Sequence, residues 1–377
     1  MIRVAHIKSN YGHVGGIESM LESLMPEFAV QPGIEPVVIF LSREPDPALE
    51  GRLSAGGQVR LIRLPWTGLA TSPKTALALG RLVRDENIAL LHTHDMRANL
   101  SAAMVRVFRR VPWICHIHGW LGATHSRLYR MFEAVDRALM RRADHVLTGS
   151  HATLDEVRVA GARAASVVSN AVLLPPPTDH RLARQSVGLP EAGVIFTILG
   201  RLHPGKGQDL FLNALSRLPR DMPWQGVIVG SGGEDAILKA LAAKLDLGNR
   251  LHFTGFVEST APWIAASDVI AVPSRKESLP LTCLEGMAQG RAVVVSAAGD
   301  LPRVVTDGRT GLIVPINDVP ALEAAFLRLL LDPDLRNQLG EAARAYIAEN
   351  NTVSVLARQI ATVQRQVASQ VSRVVRS

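Results

Sequence analysis

The chain has 377 residues, 47% of them hydrophobic and 20% charged, a length that suggests two domains at about 150 residues each and a composition that excludes global disorder. Lys and Arg outnumber Asp and Glu by 41 to 34, a formal net charge of +7. That balance suits anionic partners such as nucleotides or anionic lipid, while 5% aromatic residues, with no run interleaving cations and aromatics, speaks against nucleic acid.

The expected elements alternate from the start. Residues 3–8 read as a strand that meets Lys8 and a glycine turn, not the long apolar core of a secretory leader. A helix over 16–28 follows, then strands at 35–41 and 59–64, a helix over 74–85, a strand at 88–92 and a helix over 97–108. Strand 113–118, helix 127–142 and short strands at 145–148 and 165–168 complete a first half of parallel βαβ units. The run Leu173-Leu174-Pro175-Pro176-Pro177-Thr178-Asp179 can neither continue a helix nor pair as a central strand, so a linker is expected there. The alternation restarts with strands at 194–199, 225–229, 251–253, 269–272, 292–296 and 311–314. Helices are expected at 207–218, 234–245, 261–266, 281–289, 322–331 and 334–349, and a last amphipathic helix without acidic residues at 353–376. The expected organisation is a first Rossmann-like domain at 1–172, a linker at 173–190, a second domain at 191–350 and a C-terminal helix at 351–377. No apolar run reaches 18 residues, so no membrane span is expected. Cys115 and Cys283 lie far apart in apolar segments and read as reduced core residues of a cytosolic protein.

Open parallel sheets bind ligands at the carboxyl ends of their strands, and two such domains would face one another across a cleft. The chemistry-bearing motifs fall in loops of that kind. Gly200-Arg201-Leu202-His203-Pro204-Gly205-Lys206-Gly207 leaves a buried strand, turns on Gly and Pro, and opens a helix. A helix N-terminus and two cations suit a diphosphate, although the same turn also fits a solvated surface loop. It is not a P-loop, because the G-x-x-x-x-G-K-[ST] order is absent. Glu277 and Glu285 stand eight residues apart, one in a loop after a strand and one on the helix that follows. Carboxylates so placed accept hydrogen bonds from the hydroxyls of ribose and sugar. Asp332-Pro333-Asp334 has the D-x-D form of metal-binding transferases but sits between two late helices, where Asp334 reads as a helix N-terminal residue.

In this order and spacing the motifs resemble the retaining GT-B glycosyltransferases of family 4, whose pattern is G-R-x-x-x-x-K-G followed by a glycine turn and E-x7-E. The glycine turns are Val229-Gly230-Ser231-Gly232-Gly233-Glu234 and Phe253-Thr254-Gly255-Phe256-Val257, and Asp307-Gly308-Arg309-Thr310-Gly311-Leu312-Ile313-Val314 matches a further family element. The resemblance implies two Rossmann-like domains facing across a cleft, with the last helix returning to the first domain. It implies transfer from a UDP- or GDP-sugar to an acceptor hydroxyl with retention, in polysaccharide, lipopolysaccharide or glycolipid synthesis. Arg201 and Lys206 resemble the pair on the donor diphosphate, Glu285 the ribose ligand and Glu277 the ligand of the sugar hydroxyls. Backbone groups of Leu279 and Leu281 would lie near sugar and phosphate, with Pro280 shaping the turn, and Val257 would meet the base. Gly15 and Gly16 resemble the family's glycine loop near donor phosphate and acceptor, and His118 its histidine beside the reacting sugar. Asn170 falls at the family's P-N-G-V element, with Ala171 in place of glycine. Arg303 stands where a glutamate is usual, and Ser278-Leu279 where Gly-Phe is common.

No cofactor and no metal is expected, the two cations replacing an ion's charge. The expected partners are a nucleotide sugar and a saccharide or lipid-linked acceptor. The chain is expected in the cytoplasm, and nine arginines between residues 97 and 145 fit either the inner face of an anionic membrane or a solvated basic face, with Leu128, Met131, Val135 and Leu139 as an apolar stripe that by itself reads as core. Two rival readings stand beside this one. They are another GT-B sugar-nucleotide enzyme, an epimerase or phosphorylase, and a non-enzymatic two-lobed sugar-binding protein.

Overall fold

The computed structural model describes residues 1–10, 16–54, 57–65, 73–118 and 127–374. Its contacts divide the chain into one unit of Met1–Ser169 with Val353–Ser377 and another of Asn170–Thr352.

The first unit carries strands β1 (Ile2–Ser9), β2 (Ile34–Ser42), β3 (Arg60–Pro65), β4 (Leu90–Thr93), β5 (Trp113–Ile117), β6 (His145–Thr148) and β7 (Ala165–Val167). They form one parallel sheet in the order β3-β2-β1-β4-β5-β6-β7. Between them run α1 (Gly16–Ala29), α2 (Pro47–Leu53), α3 (Pro73–Asp85), α4 (Met96–Phe108), α5 (Arg127–Met140) and α6 (His151–Val159). The strands read as unbroken apolar runs because helices cover both faces of the sheet. Val37, Val38, Ile39 and Phe40 are all buried although alternate residues point to opposite sides.

The second unit opens with α7 (His180–Ser186) and β8 (Val194–Leu199). It continues through α8 (Gln208–Leu215), β9 (Trp224–Val229), α9 (Asp235–Lys244), β10 (Leu251–Gly255), α10 (Ala261–Ala266), β11 (Val269–Val272), α11 (Leu281–Ala288) and β12 (Ala292–Ser296). It ends with α12 (Leu301–Val304), β13 (Leu312–Val314), α13 (Val319–Leu331) and α14 (Pro333–Asn350). The strand order is β10-β9-β8-β11-β12-β13, again parallel. In both sheets the winding reverses beside the first strand, between β1 and β4 and between β8 and β11. Loops diverge at such a switch point and leave a crevice for a ligand.

The expected linker over 173–190 is part of the second unit. Ala183 and Leu189 join its core, and Arg184, almost wholly buried, donates to Asp268 Oδ2 at 2.5 Å and to the Glu191 carbonyl at 2.6 Å. The chain passes from one unit to the other at 169–170 and returns at 352–353. The C-terminal helix α15 (Val353–Val374) belongs to the first unit, where it packs on α1 and buries Ala357, Ile360, Ala361 and Gln364. Ser354 Oγ donates to Glu27 Oε2 at 2.8 Å across that contact.

On α5 the apolar stripe is divided, with Leu139 packed against the core of the first unit. Met131 and Val135 are 54% and 41% exposed, while Glu133 and Asp136 are buried, and Asp136 accepts from Asn99 Nδ2 at 2.7 Å. The helix therefore turns Glu133 and Asp136 inward in its middle and leaves Met131 and Val135 outside, while Met140 at its end joins the core. The side chain of Leu128 lies outside the described residues. Asp332 caps α14 by accepting from the Leu335 N–H at 2.9 Å, and Asp334 sits in the first turn. Among the described residues no helix is long and apolar enough to cross a membrane.

Candidate functional site

Four loops meet at the carboxyl end of the second sheet, and glycine lets them meet. Gly230 has φ +134° and a Cβ there would lie 2.1 Å from the Gly200 carbonyl oxygen. A Cβ on Gly207, at φ +75°, would lie 2.2 Å from the Pro273 oxygen, and one on Gly299, at φ +54°, 2.0 Å from the Glu277 oxygen. The loops after β8, β9, β11 and β12 thus touch backbone to backbone at the switch point.

Within this frame Lys206 Nζ makes an ion pair with Glu277 Oε1, and Ser274 Oγ donates to the same oxygen at 3.0 Å. Oε2 has no protein donor among the described residues and is the oxygen available to a ligand hydroxyl. Glu285 lies in the second turn of α11, flanked by buried Leu284, Met287 and Ala288. Burial holds its carboxyl above the usual range, against the Thr260 hydroxyl, which favours the charged form. Pro280 is the residue before the first turn of α11. Leu279 is buried and Leu281 exposed. Val257 follows β10, partly buried against the core. Arg201 is exposed and leaves its guanidinium toward solvent, while its carbonyl accepts from Gln208 Nε2 at 3.0 Å. Arg303, exposed, pairs with Asp300 at 3.5 Å.

Two positioning residues hold these loops. Arg275 donates from its two terminal nitrogens to both oxygens of Asp209, at 2.8 and 2.6 Å, and to the Pro204 carbonyl at 2.5 Å. Its backbone N–H reaches the Gly205 carbonyl at 2.8 Å, so one arginine ties the Lys206 turn to the Glu277 loop. The pairing raises the Arg275 pKa further and holds Asp209 below the usual carboxylate range. Nothing in the local sequence distinguishes Arg275 from a solvated cation. Asn170 Nδ2 donates to the Leu279 carbonyl at 2.8 Å, and Asn351 Nδ2 to the Asn170 carbonyl at 2.9 Å. The family-like position of Asn170 is visible in the sequence, but its hydrogen bond to the Leu279 loop is not. A cavity of ≈ 270 Å³ opens beside the turn, lined by His203, Gln208, Ile237, Arg275 and their neighbours. None of Arg201, Lys206, Glu277 and Glu285 lines it, so it is not the crevice that the motifs mark.

In the first unit, Gly15 lies outside the described residues, and Gly16 opens α1. His118 comes one residue after β5 and stacks on His116 at 4.2 Å between ring centroids. Its surroundings, and Lys8 next, push its pKa down to about 4, so the ring is neutral at pH 7. His118 is one of five. His6, His92 and His116 stand beside it on β1, β4 and β5 and His94 one residue after β4, with centroids 4.5–5.6 Å apart between near neighbours. The signal for this cluster was the i,i+2 spacing of His92 with His94 and of His116 with His118, which puts each pair on one face of its strand.

Residues 179–346 match the family model for glycosyl transferases group 1, and residues 15–171 that for a glycosyl transferase 4-like domain. The chain is 26% identical to the GDP-mannose-dependent monoacylated alpha-(1-6)-phosphatidylinositol monomannoside mannosyltransferase of Corynebacterium glutamicum, over 93% of this chain and 94% of that one. It is 35% identical to the D-inositol 3-phosphate glycosyltransferase of Kribbella flavida over 44% of this chain, and it spans only 42% of that relative's length. In fold it is similar to the Anabaena protein HepE, whose crystal structure holds UDP, with TM-score 0.79, 21% identity and coverage of 97% and 100%. It is likewise similar to the sucrose-phosphate synthase of Thermosynechococcus elongatus, with TM-score 0.75, 24% identity and coverage of 98% and 100%.

Proposed function

The chain belongs to the glycosyl transferases, a GT-B protein matching group 1 in its second half and the 4-like domain in its first, and from that premise we propose that it moves a sugar from a nucleotide diphosphate to an acceptor hydroxyl with retention of configuration. The observation that carries this reading is the Lys206–Glu277 pair at the switch point of the second sheet. A cation for phosphate and a carboxylate for sugar hydroxyls stand side by side there, from loops 71 residues apart. Support for a nucleotide-sugar donor also comes from the GDP-mannose dependence of the Corynebacterium relative and the UDP held by HepE.

Each group has one task. Lys206 and Arg201 meet the diphosphate, and Glu277 uses Oε2 for the sugar hydroxyls. Glu285 accepts from the ribose, and Val257 meets the base through its backbone. Leu279, Pro280 and Leu281 form the edge along sugar and phosphate. In the step itself the bond from the anomeric carbon to the phosphate oxygen breaks, its electron pair going to phosphate. The acceptor oxygen bonds to the same face of that carbon, and its proton passes to the departing phosphate. Charge builds on the diphosphate, and Lys206, Arg201 and the N-terminus of α8 offset it. No divalent ion enters that step, so activity persists in EDTA.

The acceptor is a saccharide or lipid-linked saccharide, and the working place is the inner face of an anionic membrane. Exposed Met131 and Val135 on α5, beside exposed Arg130, Arg141 and Arg142, support that placement. Vesicle flotation tests it: binding that needs anionic lipid and fades with salt agrees, and no binding at low salt removes the membrane from the account.

The transfer reading is tested by a thermal-shift panel of UDP-, GDP- and other nucleotide sugars, followed by NMR of the product's anomeric proton. One donor class should stabilise the chain and give an axial product from an axial donor. Inverted configuration would overturn retention, and no stabilisation by any nucleotide sugar would overturn the donor class.

A further inference from the structure

We propose that the first unit binds one divalent first-row transition ion of the zinc type on His94 Nδ1, His116 Nδ1 and a ring nitrogen of His118. The three residues each offer a nitrogen within 4.8 Å of the others. Zinc–imidazole bonds of about 2.0–2.1 Å set ligand nitrogens about 3.4 Å apart in a tetrahedron, so shifts of about 1 Å close the set.

Two of these residues carry an unsatisfied ring nitrogen. His94 and His116 are only 2% and 3% exposed, yet His94 Nδ1 and His116 Nδ1 have no hydrogen-bond partner. A buried polar atom of this kind calls for an explanation, and a ligand is one. His118 is exposed, which gives an ion a way in.

The protons can be placed. His94 Nε2 lies 3.1 Å from His6 Nδ1, and Gln364 places Nε2 at 3.2 Å from His6 Nε2 and 3.0 Å from His92 Nδ1. Amide oxygen and nitrogen exchange by a flip of the group. With Gln364 Oε1 toward the rings, His6 Nε2–H donates to it, His94 Nε2–H donates to His6 Nδ1, and His94 Nδ1 is left as a lone pair. Either orientation leaves His94 Nδ1 without a partner, and an ion selects the one that makes it a ligand. A ligating histidine whose other N–H is fixed by a carbonyl oxygen is the usual outer arrangement of zinc sites, here relayed through His6.

Three neutral imidazoles suit zinc, nickel, copper or cobalt and not magnesium or calcium.

Cobalt(II) is the probe. The full chain without a histidine tag is stripped with chelator, dialysed and titrated with cobalt while visible absorption is recorded, and zinc is then added in competition. The expected result is one ion per chain with intense tetrahedral bands that zinc removes. His118→Ala, an exposed position, should weaken binding about a hundredfold, and His94→Gln likewise, while Gln364→Leu should weaken it about tenfold through the relay. His252→Ala in the second unit should change nothing. Absence of bands, or bands that survive both His118→Ala and His94→Gln in folded protein, would overturn the proposal.

Discussion

At the carboxyl end of the second sheet backbone meets backbone, whereas at the same end of the first sheet imidazole rings fill the space. The two sheets share the order of their first six strands, so the difference lies in the residues placed at one topological position. In the second unit, glycines at φ +134° and +75° let the loops after β8, β9 and β11 close to contact, and Lys206 and Glu277 of those loops pair with one another. In the first, five histidines on β1, β4 and β5 or one residue beyond them pack against one another and against Gln364 of α15. One end is a rigid frame around few charges, and the other is a buried polar cluster kept neutral by desolvation.

The contrast predicts unequal responses to acid. Burial lowers His6 to about 3. Unfolded, it titrates near 6.5, so below that pH the unfolded chain binds more protons and the fold loses stability. Stability is intact above pH 6.5 and declines as pH falls, by about 2 kcal/mol at pH 5 from His6 alone. Hydrogen exchange, corrected for intrinsic rates, should show β1, β4 and β5 losing protection between pH 7 and 5 before β8, β11 and β12. Equal loss in both sheets would break the comparison.

A steric change should act on the other unit. Gly230→Ala puts a Cβ 2.1 Å from a carbonyl oxygen in a left-handed backbone and should cost about 3 kcal/mol in denaturant unfolding. Gly233, with nothing within 4 Å of its Cβ position, should accept alanine with almost no change. Similar costs at both positions would mean that the loops do not rely on close approach.

Asn170→Ala should follow, by about 1 kcal/mol, because it removes one hydrogen bond to the Leu279 carbonyl. Its effect should fall on affinity for the sugar nucleotide more than for the free nucleoside diphosphate.

The smallest effect has an unusual sign. Glu285 has a folded pKa above its unfolded one, so its contribution to stability is present at low pH and lost as pH rises through the folded value. Glu285→Gln should therefore raise Tm slightly at pH 7 while weakening both nucleotide and sugar nucleotide. A lowered Tm would show that the carboxylate is held by partners and not merely tolerated.

Much of the fold was legible because alternating strands and helices with glycine turns have few parallel-sheet solutions. The short helices α2, α6 and α7 were not, since seven to nine residues carry barely two turns of periodicity. The segment 173–190 reads as a linker from its prolines, but Arg184 is buried against Asp268, 84 residues away, and no local pattern announces that. The donor-side glutamates and glycines were legible as motif residues. Arg275 was not, because its partners Asp209 and Pro204 lie 66 and 71 residues away. The imidazole cluster depends on a glutamine 358 residues from His6, a contact created only by the return of α15 to the first unit.

The central claim is that the switch point of the second sheet binds a nucleoside diphosphate through Lys206. Calorimetry on the wild-type chain and Lys206→Ala, with the nucleoside diphosphate that the thermal-shift panel selects, tests it most directly. A charge-assisted contact is worth about 1.5–3 kcal/mol, so affinity should fall at least about tenfold, with the variant's Tm nearly unchanged. Equal affinity in the two proteins would contradict it.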